Sequence, residues 1–103
     1  MTDFTLQEDA FQEALRVVGD PARLLPGEEP NTRYVDDARH WRSVYAELLH
    51  FKDQLVSTAR RASENLRRPA RHEASDDLKL LEAERSRLRT RYEFWKRRSE
   101  ELA

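Results

Sequence analysis

Residues 34–66 read YVDDARHWRSVYAELLHFKDQLVSTARRASENL. Stepping through them by four and three residues in turn lands on Tyr34, Ala38, Trp41, Tyr45, Leu48, Lys52, Leu55, Ala59, Ala62 and Leu66, all apolar except Lys52. An apolar residue every three and a half positions marks a helix that buries one stripe against another helix. The spacing predicts a helix over 34–68, about 52 Å long at ~1.5 Å per residue.

Past Pro69 the phase breaks. Continuing the same heptad would seat Glu73, Asp76, Arg87, Thr90, Arg97 and Glu101, whereas the apolar stripe is Leu78, Leu81, Leu88, Tyr92, Trp95 and Leu102. Proline disfavours helical geometry at Arg68, and Ser75 or Asp76 can cap a new helix. These signals predict a turn over 69–75 and a second helix over 76–102 that packs back antiparallel. Setting Leu66 against Leu78 makes paired indices sum to about 144. Arg85 then faces Ala59 and Ala62, Leu55 faces Leu88, Lys52 lies near Tyr92, and Leu48 lies near Trp95.

Upstream, Thr5-Leu6-Gln7-Glu8 has capping-box spacing and predicts a helix over about 6–18, making residues 1–18 a short acidic amphipathic helix. Gly19 is expected to end it in the left-handed conformation, before Asp20-Pro21. Residues 19–33 hold Pro21, Pro26, Gly27 and Pro30 and read as a linker, with Leu24 and Leu25 as a small apolar anchor. The expected fold is all-α. A long, coiled-coil-like antiparallel helical hairpin occupies 34–103, and the N-terminal helix completes a three-helix unit or, with a second copy, a dimeric four-helix bundle.

The composition fits long helices with wet outer faces. The 103 residues are 38% charged and 38% hydrophobic, with two glycines and no cysteine. One small domain is expected, without disulfides or thiolate metal sites. No run approaches the roughly 18 apolar residues of a membrane span. The start Met1-Thr2-Asp3 lacks the basic lead and apolar run of a secretion signal, so a cytoplasmic location and no membrane partner are expected. Charge is uneven: residues 1–37 carry nine acidic and three basic side chains, and residues 38–103 carry eleven and sixteen, for a total of −1. An acidic arm of this kind either covers a basic body or leaves it open to a polyanion.

On helix 34–68, Trp41, Val44, Tyr45, Leu48, Leu49, Phe51, Leu55 and Val56 span an arc of about 160°, wider than one partner helix covers. Helix 76–102 adds a second line of Leu80, Ala83 and Phe94. Either the first helix or a second copy must cover the excess, and Trp41, Val44, Leu49, Phe51, Val56 and Phe94 are the expected association surface. The aromatics Trp41, Tyr45, Phe51, Tyr92, Phe94 and Trp95 gather at the end far from the turn, as an interface cluster or as the thick end of the core.

The predicted turn is basic: Arg60, Arg61, Arg67, Arg68, Arg71 and His72 face only Glu64 and Glu73. Arginine's fork suits phosphate, whereas a pI near 6.3 and glutamates at 82, 84, 93 and 100 favour a solvated, ion-paired surface. Glu47 and His50 have the Glu-x-x-His spacing of dimetal bundles, but such sites need two motifs and two further glutamates, and these residues flank inward-pointing Leu48. His40 one turn after Asp36 reads as helix support, and His72 as exposed. The serines lack a strand–turn–helix elbow, and Gly19 and Gly27 alone make no phosphate loop. Two long helices also offer no substrate-sized pocket. No catalytic residue, cofactor, metal or small-molecule substrate is therefore expected. The expected role is non-enzymatic protein–protein interaction or assembly, with a protein partner or self, as a homodimer or a subunit of a larger assembly. One alternative is nucleic-acid or ribonucleoprotein binding through Arg60, Arg61, Arg67, Arg68 and Arg71. Another is an N-terminal helix that docks on a partner from a flexible tether.

Overall fold

A computed structural model describes the backbone of residues 2–103 and the side chains from Gln7 onward. Three helices follow in order: α1, Thr2–Val18; α2, Val35–Ser63; and α3, Arg68–Leu102. No strand occurs among the described residues. The particle measures 54 × 32 × 17 Å. Thirty-five helical residues account for the long dimension at ~1.5 Å each, and the thin one is little more than a single helix with its side chains.

The turn between α2 and α3 lies at 64–67, not at 69–75, and Pro69 stands in the first turn of α3. A proline is at home there, because the first amides of a helix have no acceptor within it and its fixed φ suits the helix start. Arg67 is extended, with φ −75° and ψ 163°, and Ser75 and Asp76 lie inside the helix rather than capping it. Ser63 Oγ donates to the Arg60 carbonyl at 2.8 Å as α2 ends.

Early α2 meets late α3, so the two run in opposite senses: Arg42 donates to Ser99 (3.3 Å), Lys52 pairs with Glu84 (3.2 Å), and Arg60 pairs with Glu82 (3.0 Å). The earlier turn moves the register away from the expected one. Arg85 approaches Asp53 at 3.8 Å rather than lying over Ala59 and Ala62, and Lys52 reaches Glu84 rather than Tyr92. Tyr45, Ala38, Leu88 and Trp95 form the buried centre, with Leu25, Trp41, Leu48, Leu49, Tyr92, Phe94 and Leu102 packed around it.

Among the described residues helix α1 packs on α3 and makes no packing contact with α2, so α3 is the middle helix. Thr5 lies within α1, which starts at Thr2, and its side chain falls outside the described residues. Gly19 is not left-handed. Its small size is what matters, since a Cβ there would come within 3.0 Å of the Leu15 carbonyl and 3.4 Å of Ala83 Cβ. Ala83, on the second apolar line of α3, is thus met by the chain's own N-terminal segment.

Residues 19–34 are a folded strap, not a tether. Each of their prolines is the second residue of a four-residue turn closed by a backbone hydrogen bond: Arg23 N–H to Asp20 O (3.2 Å), Glu28 N–H to Leu25 O (3.0 Å), and Thr32 N–H to Glu29 O (3.1 Å). Proline pre-sets φ at that position. Asp20 Oδ1 also accepts from the Ala22 amide at 2.9 Å. In the second turn Gly27 takes φ +82°, the left-handed value that follows proline in a type II turn. Thr32 ends the strap: its hydroxyl accepts from the Tyr34 amide (3.2 Å) and donates to Asp37 (2.7 Å), tying the strap to the first turn of α2.

Gly27→Ala forces a side chain into left-handed geometry at a cost of about 1–2 kcal/mol. Urea denaturation is expected to show that loss, and trypsin to cut faster after Arg23 than in the parent chain.

Candidate functional site

The type II turn aims the Glu28 side chain between α2 and α3, where it is completely buried. Five groups donate to its two oxygens. The Tyr45 hydroxyl and the Leu25 amide (2.9 Å) meet Oε1, and Arg91 Nη2 (2.5 Å), Arg91 Nε (3.2 Å) and Trp95 Nε1 (2.8 Å) meet Oε2. Arg91 is itself buried, with its guanidinium 4.6 Å from the centroid of Phe94 and 6.0 Å from that of Tyr45. Trp95 meets Phe94 edge-on at 5.0 Å. One carboxylate therefore fixes the strap to both long helices.

Burial pushes the Glu28 carboxyl pKa upward, but the donors from Tyr45, Leu25, Trp95 and Arg91 outweigh it and hold the group below its ordinary value. Burial and the adjacent Glu28 charge push the Tyr45 phenol up to about 12. The site is thus an ionised Glu28–Arg91 pair beside a neutral phenol. Arg87 and Arg98 flank it on the same face of α3: Arg87 Nη1 donates to the Arg23 carbonyl (3.4 Å) and Arg98 Nη2 to the Thr32 carbonyl (2.7 Å). Spacings of four and seven residues put Arg87, Arg91 and Arg98 within about 40° on the helix. Among the described residues Glu28 is the one acidic side chain of residues 1–37 that pairs with α3, and Arg87 and Arg98 bind carbonyls of the strap instead.

The expected association residues separate. Val56 is fully buried, and Trp41, Leu49 and Phe94 pack against the core, where Gly27 of the strap approaches Trp41. Val44 is half-buried, and Phe51 is 57% exposed with Leu55, one turn on, at 37%. Phe51 is the one aromatic of the expected cluster that stays outside it. What covers the thick end is the strap rather than α1.

At the turn, Arg60 pairs with Glu82 and Arg71 donates to the Glu64 carbonyl at 3.3 Å. Arg61, Arg67 and Arg68 are exposed and make no ion pair among the described residues. Glu47, His40, His50 and His72 are exposed, and no three His, Asp or Glu side chains among the described residues converge as a metal site would need. No helix of the described residues is long and apolar enough to cross a membrane.

Sequence reasoning missed Glu28, Arg87 and Arg91. The arginine run from 85 to 91 reads as a ring around the helix, and its buried members show only when Trp95 and Ser99 are added to the same face. Pro26-Gly27 was the available signal, because a type II turn there points Glu28 inward.

Comparison of the chain with protein-family models, curated proteins and solved structures finds no match.

Glu28→Ala leaves a buried guanidinium, a phenol and an indole N–H without their acceptor. The expected loss is about 3–5 kcal/mol in urea denaturation, and less when Arg91→Met accompanies it. Because the folded carboxyl pKa lies below the ordinary 4.5, its stabilisation is complete above that pH and is lost as pH falls through the folded value. Glu28→Gln removes that acid dependence. The Tyr45 phenol contributes stability that is complete below pH 10 and lost as pH rises toward 12.

Proposed function

We propose that the chain is a non-enzymatic interaction and assembly protein built on an antiparallel hairpin of α2 and α3, which its N-terminal helix and strap brace from one side. The supporting observation is the exposed pair Phe51 and Leu55 on a helix whose α3-facing stripe is already filled. Fully burying one such side chain is worth ~1.5–3 kcal/mol, so a partner helix on this flank gains what the monomer forgoes. The surroundings are long charged helices in which no three His, Asp or Glu side chains converge among the described residues, and the buried Glu28, with Arg91 and Tyr45, is fully occupied in tying the strap to the helices.

Phe51→Asp tests the reading. Because Phe51 is exposed, helicity and unfolding midpoint are expected to stay near those of the parent, within about 0.5 kcal/mol. Association, followed by light scattering after size exclusion, is expected to be lost. Unchanged association would overturn the assignment of this flank.

The exposed Arg61, Arg67 and Arg68 favour a second reading, in which the turn contacts a polyanion. Affinity for RNA or DNA would then fall with salt with a slope of roughly −0.7 to −0.9 per phosphate contact, and Arg61, Arg67 and Arg68→Ala would flatten it. No binding at low salt would remove this reading.

A further inference from the structure

Helix α2 carries two heptad seams. The first, through Ala38, Tyr45, Leu49, Lys52, Val56 and Ala59, faces α3 and is buried or half-buried along its length. The second is turned from it by about 100° and runs Val44, Leu48, Phe51, Leu55, Thr58, Ala62 at alternating steps of four and three. Leu48 leans on the core and Val44 is half-buried, but Phe51, Leu55, Thr58 and Ala62 are exposed, and among the described residues α1 does not contact α2.

Deepening the interaction reading above, we infer that the occupant of this seam is a second copy of the chain, packed with its α2 antiparallel across a two-fold axis beside Gln54. Three observations point to self-pairing. The first is size. Pairing Phe51 with the partner's Leu55 sets Leu48 against the partner's Thr58 and Val44 against the partner's Ala62, so each large residue at one end meets a small one from the other. An isologous interface requires this self-complementarity.

The second is charge. The residues that flank the seam away from α3 are Glu47, Gln54 and Arg61, seven apart. In this arrangement Glu47 meets the partner's Arg61, twice by symmetry, and the uncharged Gln54 meets its own copy at the axis. On the other flank the axial residue is Lys52, whose ammonium is already held by Glu84 at 3.2 Å with the side chain 13% exposed. A like charge at the axis is thereby compensated.

The third is area. A compact chain of 12.3 kDa exposes about 6,100 Å². This one exposes 7616 Å². Its radius of gyration is 17.0 Å where about 13 Å is usual. A standard interface removes about 800 Å² from each partner, well within that excess.

Charge exchange tests the pairing on the full chain, by light scattering and sedimentation equilibrium across micromolar concentrations. The parent is expected to be a dimer. Glu47→Arg and Arg61→Glu should each weaken it about tenfold or more, and the double variant should restore it. In a parallel pair Glu47 and Arg61 do not meet, so the rescue is specific to the antiparallel arrangement. Because the chain has no cysteine, Val44→Cys and Ala62→Cys chains mixed under oxidation should form the mixed disulfide in preference to either homodimer. Circular dichroism of each variant separates lost pairing from lost fold.

A parent monomeric at every concentration, or a dimer indifferent to both exchanges, would overturn self-pairing. The broader interaction reading fails separately, if Phe51→Asp changes no association of any kind.

Discussion

A carboxylate with no water around it survives only where donors replace its hydration, and Glu28 accepts five hydrogen bonds from four residues, two of them from one guanidinium. The constraint works in both directions. Arg91 could not be buried without Glu28, and Tyr45 and Trp95 could not sit in the centre of the core without an acceptor for their polar ends. Tyr45 comes from α2, Arg91 and Trp95 from α3, and Glu28 from the strap, so one ion pair sets the position of three segments. The path of the strap follows from it, since the turns on either side of Glu28 carry Arg23 and Thr32 to Arg87 and Arg98.

The three-helix arrangement follows from α3 having two working faces. Leu88, Tyr92, Trp95 and Ser99 face α2, while Ala83, Arg87, Arg91 and Arg98 face the N-terminal segment. One carboxylate of the acidic first third, Glu28, is neutralised by Arg91 of α3, while Arg87 and Arg98 hold the strap by its backbone carbonyls. Helix α2, at the edge, keeps Phe51 and Leu55 exposed one turn apart.

The helices themselves were legible because heptad spacing is a strong, repeated signal, and the phase change between Leu66 and Leu78 correctly announced a turn. Its position was misjudged because Pro69 was read as a breaker, whereas a proline one residue into a helix starts it. The register error followed directly, since a turn moved by several residues moves every pair across the seam. Proline and glycine in 19–33 suggested a flexible linker, yet three prolines at the second position of successive turns stiffen a chain. The residues of the core network were hidden for a different reason. Burial of Glu28 and Arg91 is a property of the pair, and the two stand 63 residues apart, where no local pattern connects them. An apolar arc wider than one neighbour can fill is visible on a helical wheel, but separating exposed Phe51 and half-buried Val44 from Val56 and Leu49 required the packing itself.

The parallel course of the N-terminal segment along α3 has a consequence for how the chain is made. Glu28 leaves the ribosome long before Arg91 and Trp95, and at about 5–20 residues per second the interval is roughly 3–13 s. Helix α1 and the strap therefore spend several seconds without the surface they cover, and the core closes only once α3 has been synthesised through Trp95. Because Glu28 stands 63 and 67 residues from its donors Arg91 and Trp95, the closing contacts carry a larger loop-closure entropy than the pairing of α2 with α3, which is expected to form first. With nine acidic and three basic side chains, residues 1–37 carry like charge that repels other copies of the waiting segment until α3 arrives.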